Sequence, residues 1–273
     1  SATGVSIDSR SVEPGDLFVA LAGVRDGHAT ADGKDWGVGF NLGYLFQLDQ
    51  ATRFGLAYRS SISHKLKGDA VWDFSHATTD PVTNAVLAHA SGKKNSAALV
   101  KLQTPETISA SVFRQLDAKW AAMADLTWTR TSRLANLNIE FPGTIQGDEV
   151  IRQQWKNTYR LSLGANYRYS EQLLLRAGVA YDQSPVRSAE LTHPALPDSD
   201  RYQLSFGANY KLGPQSSLDL AYSYLDFKNA RANYRNDCSP LPTSTTCTGN
   251  GETTRGVYKT RLHLLGVAYN HKF

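Results

Sequence analysis

The fold is decided by stretches such as YRLSLGANYRYSEQLLLRAGVAYD, residues 159–182, in which apolar residues alternate with small or polar ones on both sides of a short turn. The apolar residues stand at every second position and so share one face. They are Tyr159, Leu161, Leu163, Ala165 and Tyr167 before the turn at Ser170 and Glu171, and Leu173, Leu175, Val179 and Tyr181 after it. Such alternation is typical of β-strands with one apolar face. A tilted strand needs about ten residues to cross a bilayer. The stretch therefore predicts a membrane-crossing β-hairpin.

The same pattern recurs in nine segments between Asp35 and Phe273. The segments start near Trp36, Phe54, Ile108, Trp120, Tyr159, Leu173, Tyr202, Leu218 and Leu265. Tight turns are predicted at 49–50, 117–118, 170–171 and 213–214, and they alternate with long polar connections at 67–105, 131–156, 183–200 and 229–257. Outer-membrane barrels have short periplasmic turns and longer outside loops. The alternation therefore places the C-terminus in the periplasm.

Two other classes of fold fit the sequence less well. No run approaches 18 apolar residues, so a helical membrane span is excluded. A soluble β-sandwich also alternates, but its exposed face is usually charged, whereas here the second face is mainly Gly, Ala, Ser and Asn with scattered Arg. Aromatic residues stand at the segment ends, as expected at membrane interfaces. We predict an all-β fold, an antiparallel transmembrane β-barrel in the outer membrane of a Gram-negative bacterium.

Charge and cysteine content narrow the function classes. The formal net charge is +4 and the basic residues are interspersed with acids, so nucleic acid is not predicted as a partner. Cys238 and Cys247 lie in one polar stretch without CxxC spacing or a His/Cys metal pattern. A loop disulfide between them is our preferred interpretation, and two free thiols are the alternative. No metal and no cofactor are predicted.

Several stretches resemble the FadL/TodX family of outer-membrane transporters for long-chain fatty acids and other hydrophobic compounds. They are DWGVGFNLGYLFQLDQATRFGLAYRS (35–60), KLKGDA (65–70), QTPETISASVFRQLDAKWAAMADLTWT (103–129), YRLSLGANYRYSEQLLLRAGVAYDQSPV (159–186), PDSDRYQLSFGANYKL (197–212) and LLGVAYNHKF (264–273). The resemblance implies fourteen strands and an N-terminal plug, called the hatch. We therefore expect about nine strands of fourteen here, with the hatch absent and two strand edges left open.

The first residues resemble a different family. GVSIDSRSVEPGDLFVALAGVRDGH, residues 4–28, is similar to the N-terminal uridine-nucleotide-binding segment of the Mur ligases. No GxxxxGK[ST] motif occurs in the chain, and so short a segment cannot build its own core. Ligase activity is therefore not predicted. We divide the chain into an atypical, partly ordered segment at 1–34 and the barrel at 35–273.

The resemblance to the transporters implies that outside loops capture an apolar ligand. Between the second and third segments lie five candidate contacts in a polar stretch: Trp72, Phe74, Val82, Val86 and Leu87. DPVTNAVLAHA, residues 80–90, has helical spacing, with Val82, Val86 and Ala90 on one face. Two interpretations stay open, a loop helix that packs on its own barrel rim or direct ligand contact.

On each predicted strand, the residues that alternate with the lipid-facing ones point into the barrel. These positions include a set of charged residues. These are Arg53, Arg59, Arg160, Arg168, Arg176, Arg201 and Lys211, with Asp125, Asp182 and Asp219 as partners. Most are expected to form ion pairs inside the barrel. Arg59 and Arg160 lie nearer the outer halves of their strands and are our candidates for holding the carboxylate of a ligand.

The predicted function is passive binding and diffusion of long-chain fatty acids or other hydrophobic compounds across the outer membrane. The sequence leaves fatty acids and aromatic hydrocarbons equally open. The alternative is a truncated or hybrid barrel fragment without activity. An enzyme is not predicted, because no GxSxG or HExxH motif accompanies the scattered histidines. The expected partners are the hydrophobic ligand, outer-membrane lipid, and barrel assembly machinery that recognises the last strand, ending at Phe273.

Overall fold

The computed structural model describes residues 17–22, 28–75, 79–90, 92–145, 148–235 and 253–272, with side chains from Asp35 onward except at positions 87 and 149. The predicted disulfide partners Cys238 and Cys247, the terminal Phe273 and most of the Mur-like segment lie outside these ranges. The predicted boundary between residues 34 and 35 stays a prediction.

Nine strands form one antiparallel sheet, here called the barrel sheet. They are β3 (Asn41–Gln47), β4 (Thr52–Arg59), β7 (Thr107–Gln115), β8 (Trp120–Thr129), β11 (Thr158–Arg168), β12 (Leu173–Asp182), β13 (Arg201–Lys211), β14 (Ser216–Phe227) and β17 (Arg261–His271). Their spatial order is β17-β14-β13-β12-β11-β8-β7-β4-β3. These strands match the nine predicted segments in number and in chain order. In the described part of the chain, β3 and β17 form the two edges of the sheet.

Four tight hairpins join these strands in pairs, at the predicted positions. Each closes on backbone hydrogen bonds, from Leu48 to Thr52, Leu116 to Trp120, Tyr169 to Leu173 and Leu212 to Ser216. Side chains support three of the turns: Asp49 and Asp117 accept hydrogen bonds from backbone N–H groups two and three residues further on, and so does Ser170. Short polar side chains that bond their own backbone are what makes such residues favour turns.

The long connections are more structured than the sequence analysis expected. Six strands form a second antiparallel sheet, the loop sheet, in the order β1 (Leu17–Ala22), β2 (His28–Lys34), β5 (Ser63–Asp73), β6 (Ser96–Gln103), β9 (Asn136–Glu140) and β10 (Glu149–Arg152). Its core contains Leu66, Ala70, Ala98, Val100, Ile139 and Phe141. β15 (Ala230–Arg235) and β16 (Thr253–Tyr258) form a separate hairpin.

One α-helix, α1 (Pro81–Ala90), connects β5 to β6, as the helical spacing predicted. Two 3₁₀ turns complete the described elements, at Thr131–Arg133 and Ala189–Leu191. No helix in the described ranges is long and apolar enough to cross a membrane.

The barrel sheet has two chemically distinct faces. The outer face carries apolar side chains that stay exposed, such as Leu161, Leu163, Val179, Leu204 and Phe206. Aromatic pairs lie on this face at the strand ends, with ring centroids 4.5 Å apart for Trp120 and Tyr167 and 5.1 Å apart for Tyr181 and Tyr202. An exposed apolar band between aromatic residues is what a lipid-facing wall requires.

Candidate functional site

The inner face of the barrel sheet is lined by small and polar side chains in register. Gly55 pairs with Ser111, Ser111 with Asp125, and Asp125 with Ser162, across four neighbouring strands. A Cβ atom at Gly55 would come within 2.6 Å of Ser111 Oγ, and one at Gly164 would come within 3.0 Å of Met123 Cγ. Glycine at these positions lets the Ser111 and Met123 side chains lie close against the strand backbone, so that they project less into the space above the inner face.

That space forms a depression of about 510 Å³, here called the inner depression. Its lining residues are Leu45, Arg53, Gly55, Ser111, Val112, Phe113, Met123, Ala124, Asp125, Ser162, Leu163 and Gly164. The volume lies within the range of about 300–1,000 Å³ typical of small-molecule sites. The lining is mostly apolar, with one cation and one carboxylate.

Most inner-face arginines near the long-loop end are already paired with acids. Arg160, one of the two predicted carboxylate-binding residues, lies 3.4 Å from Asp182 and donates a hydrogen bond to Gln203 at 2.7 Å. Arg201 shares Asp182 at 2.6 Å and also pairs with Asp198 at 3.1 Å. This cluster is the kind of internal ion-pair network that the sequence analysis expected for most lumen charges.

A second ion pair lies nearer the tight turns. Arg176 is 3.3 Å from Asp219, which also accepts hydrogen bonds from the side-chain amides of Asn209 and Asn270. Asp219 thereby joins side chains from β12, β13, β14 and β17 across the inner face. The predicted partners Asp182 and Asp219 are therefore both engaged.

Two inner-face arginines differ from these. Arg59, the other predicted carboxylate-binding residue, donates a hydrogen bond from Nε to Asn41 Oδ1 at 3.2 Å. Arg53 packs on Phe113, with its Cζ atom 4.5 Å from the ring centroid. Neither arginine has a carboxylate oxygen within 4.0 Å among the described residues. The phenyl ring under Arg53 was not anticipated, because β4 and β7 are separated by a long connection and their register is not visible in the sequence.

The five predicted loop contacts separate into two groups. Phe74 is buried, only 8% exposed, and Trp72 packs against the loop-sheet core with its ring centroid 6.0 Å from that of Phe141. Val82 and Val86 on α1 are 71% and 60% exposed. The side chain of Leu87 lies outside the described residues. Packing thus accounts for Trp72 and Phe74, whereas Val82 and Val86 stay available to a ligand.

A charge cluster that the sequence analysis missed joins the two sheets. Glu106, between β6 and β7, has a side chain only 11% exposed and pairs with Arg130 at 2.9 Å and Arg133 at 3.0 Å. Arg133 also donates a hydrogen bond to Gln103 Oε1 at 3.2 Å. The hydrogen bond from Arg130, with that from Arg133, lowers the pKa of the Glu106 carboxyl below its ordinary value.

Within the described ranges, no group of three or more His, Cys, Asp or Glu residues is arranged to hold a metal ion. The inner face itself offers apolar surface, space and a few charged side chains, which suit binding of an apolar or amphiphilic molecule.

Comparison with known proteins identifies the family of the chain. The family described as outer membrane protein transport protein (OMPP1/FadL/TodX) matches residues 18–273. The chain belongs to this family.

Two curated relatives show how much of a family member the chain represents. An outer membrane protein of Neisseria meningitidis serogroup B is 33% identical over 277 residues, which covers 98% of this chain and 57% of the relative. The long-chain fatty acid transport protein of Escherichia coli K12 is 30% identical over 226 residues, which covers 81% of this chain and 49% of the relative. The chain thus spans about half the length of these OMPP1/FadL/TodX proteins.

Among solved structures, a FadL homologue from Pseudomonas aeruginosa matches with a TM-score of 0.74 at 24% identity, covering 94% of this chain and 60% of that chain. Family membership and this likeness confirm the predicted fold class, an antiparallel transmembrane β-barrel, and the outer-membrane localisation. The family is one of transport proteins, which confirms the prediction that this chain is not an enzyme.

Proposed function

We propose that the protein carries long-chain fatty acids or related hydrophobic compounds across the outer membrane by passive binding and diffusion. The observation that carries this proposal is the inner depression, an apolar space of about 510 Å³ on the inner face of a membrane-crossing wall. Burial of apolar ligand surface contributes about 25 cal/mol per Å², so binding there needs no cofactor or chemical step. The name of the Escherichia coli relative, a long-chain fatty acid transport protein, supports the same substrate class.

Capture on the outside is assigned to α1. Val82 and Val86 lie four residues apart, on one face of the helix, and both are exposed. An exposed apolar pair on the long connection between β5 and β6 offers an alkyl chain its first contact. We include the neighbouring Leu87 in this capture surface, together with Trp72 and Phe74 as packed residues that support it from the loop sheet.

Arg59 and Arg160 are the proposed carboxylate-binding residues near the long-loop end. Arg59 is engaged by a neutral amide alone among the described residues, so its charge can be shared with a ligand. Arg160 must exchange Asp182 or Gln203 for the ligand, because both already accept its hydrogen bonds. Arg59 is therefore expected to contribute more than Arg160.

We further propose that two partners act on the whole protein. Outer-membrane lipid covers the exposed apolar outer face, and barrel assembly machinery recognises the last strand, β17, through the alternation of Leu265, Val267 and Tyr269.

Uptake measurements test the transport proposal. The full-length protein that contains this chain is expressed in a bacterial host that lacks its own long-chain fatty acid importer, and uptake of radiolabelled oleate is followed. We expect uptake above the empty-vector background, and at least a threefold reduction in the double variant Val82→Asp, Val86→Asp. The matched control is Ala97→Asp, which adds a charge at an exposed residue of the loop sheet. A wild-type protein that moves no oleate above background would overturn the proposal.

A further inference from the structure

Arg53 occupies the inner depression without an anionic partner. Its guanidinium stacks on Phe113, its direct partner in the β4–β7 register, with 4.5 Å between Cζ and the ring centroid. A guanidinium has five N–H donors, and no described residue accepts a hydrogen bond from the Arg53 guanidinium or places a carboxylate oxygen within 4.0 Å of it. The cation–π contact holds the group in place while its donors remain available.

Three other arginines of the inner face differ from Arg53, because each is paired with an acid. Arg160, Arg176 and Arg201 each lie within 3.4 Å of an aspartate. Arg53 is exposed, so its free N–H donors are open to a ligand. Among the described residues Arg53 has no such partner, and it borders the inner depression, so an anion bound in that depression can accept its hydrogen bonds.

The rest of the lining identifies the body of that ligand. Leu45, Phe113 and Met123 border the same depression as Arg53. An inorganic anion would leave this apolar surface uncovered, and a neutral hydrocarbon would leave the guanidinium uncovered. An amphiphile with one anionic end and an alkyl chain satisfies both, because charge-assisted bidentate hydrogen bonds to carboxylate are the contacts that guanidinium makes best.

We propose that Arg53 binds the carboxylate of a long-chain acid in the inner depression, and that this contact makes the protein select acids over neutral hydrocarbons of the same length. The inference rests on the proposed transport function and names the substrate class that the sequence leaves open. It assigns a specificity role to Arg53, which lies deeper in the barrel sheet than Arg59 and Arg160 near the long-loop end.

Asp125 supplies the competing structural explanation. It lines the same depression and accepts a hydrogen bond from Thr127 Oγ1 at 2.9 Å. If Arg53 served only to balance Asp125, neutralising either residue would disturb the wall in the same way. If Arg53 binds a ligand, removing the negative charge of Asp125 leaves acid binding intact or strengthens it, because the carboxylate of the ligand is no longer repelled.

Equilibrium binding to the purified full-length protein in detergent tests the proposal, with radiolabelled palmitate and its methyl ester as matched probes at pH 8. We expect Arg53→Gln to weaken palmitate binding at least tenfold and to change ester binding less than twofold. Arg53→Lys should give an intermediate loss, since lysine keeps the positive charge but lacks the planar guanidinium that can bind a carboxylate through two hydrogen bonds. Arg168→Gln, on the inner face outside the depression, and Asp125→Asn are both expected to retain palmitate binding. Unchanged circular dichroism shows that each variant has kept its sheet.

The inference is overturned if Arg53→Gln weakens palmitate and ester binding equally, if it changes neither, or if Asp125→Asn reproduces the loss. If Arg53→Gln fails to fold, Arg53→Lys decides by the same ratio of palmitate to ester binding. A wild-type protein that binds neither probe contradicts the transport proposal itself. A wild-type protein that binds both equally well contradicts only the role of Arg53.

Discussion

Glu106 is a single carboxylate that holds two arginines at the boundary between the barrel sheet and the loop sheet. Arg130 follows β8 directly and Arg133 ends the 3₁₀ turn after it, so both ion pairs tie the segment after β8 to the strand that begins at Thr107. Hydrogen bonds to a charged group contribute more than neutral ones, about 1.5–3 kcal/mol each. Partial exposure of both arginines reduces this contribution.

Replacing Glu106 by Gln is expected to lower the free energy of unfolding by about 1–2 kcal/mol, since two guanidinium groups lose the carboxylate that they share. Urea unfolding of the reconstituted protein measures this loss. The matched control is Asp226→Asn, which removes the exposed ion pair with Arg261 at 3.3 Å and should cost less than about 1 kcal/mol. Equal losses in the two variants would show that burial of Glu106 adds nothing.

The pH dependence of the same difference follows from the lowered pKa of Glu106. A carboxyl whose pKa is depressed by folding stabilises the protein above its unfolded value, about 4.3 for glutamate, and loses that contribution as the pH falls through the folded value. The stability difference between wild type and Glu106→Gln should therefore be full at pH 7 and shrink below about pH 4. A difference that stays constant down to pH 3 would contradict the assignment.

At the scale of elements, the helix α1 begins with an aspartate N-cap. Asp80 precedes Pro81, and its carboxylate accepts hydrogen bonds from the backbone N–H groups of Val82 and Thr83. Asp is a preferred N-cap residue and Pro a preferred first helical residue. The Thr83 hydroxyl also donates to Asp80, and these bonds lower the pKa of the Asp80 carboxyl.

Asp80→Ala is expected to raise amide hydrogen exchange severalfold in the first turn of α1, because two N–H groups lose their acceptor. Mass spectrometry of peptides covering α1 and, for reference, β11 measures the effect. Asp80→Asn is the control, since asparagine caps equally well. Faster exchange in both variants would point to the charge of Asp80 rather than to its capping geometry.

The barrel sheet was predictable from the sequence because its information is local. In each tight hairpin the apolar parity on both sides of a short turn fixes strands and register together, as Tyr167, Ser170 and Leu173 show. The loop sheet was not predictable. Its pairings join distant segments, such as Lys101 with Asn138, and two of its six core residues are alanine. Long-range pairing leaves no signal in a single sequence.

The candidate site was predictable to the extent that the alternation of residues along each strand decides which side chains face inward. The alternation placed Arg53, Arg59 and Arg160 on the inner face, and the register confirms that they share it. Which arginines are paired with acids depends on residues two strands away, as for Arg176 on β12 and Asp219 on β14. The packing of Trp72 against Phe141 depends on the loop sheet and could not be foreseen.

At the scale of the whole molecule, the central feature is a wall with opposite chemistry on its two faces. Leu163, in the middle of β11, is 50% exposed on the outer face, while its neighbours Ser162 and Gly164 line the inner depression. In water such an apolar outer face would be a site of aggregation. In a bilayer the same face is solvated by lipid, and every strand between the two edges satisfies its backbone hydrogen bonds within the sheet.

Single-cysteine scanning along β11 of the full-length protein, with the native cysteines replaced by serine, tests this claim most directly. An environment-sensitive fluorophore is attached at Leu161→Cys, Ser162→Cys, Leu163→Cys and Gly164→Cys in lipid vesicles. We predict that brominated lipid quenches the label at 161 and 163, and that a water-soluble quencher reaches the label at 162 and 164. Quenching by lipid that does not alternate with sequence position would contradict the account of a membrane-crossing wall with an apolar outer face and a polar inner one.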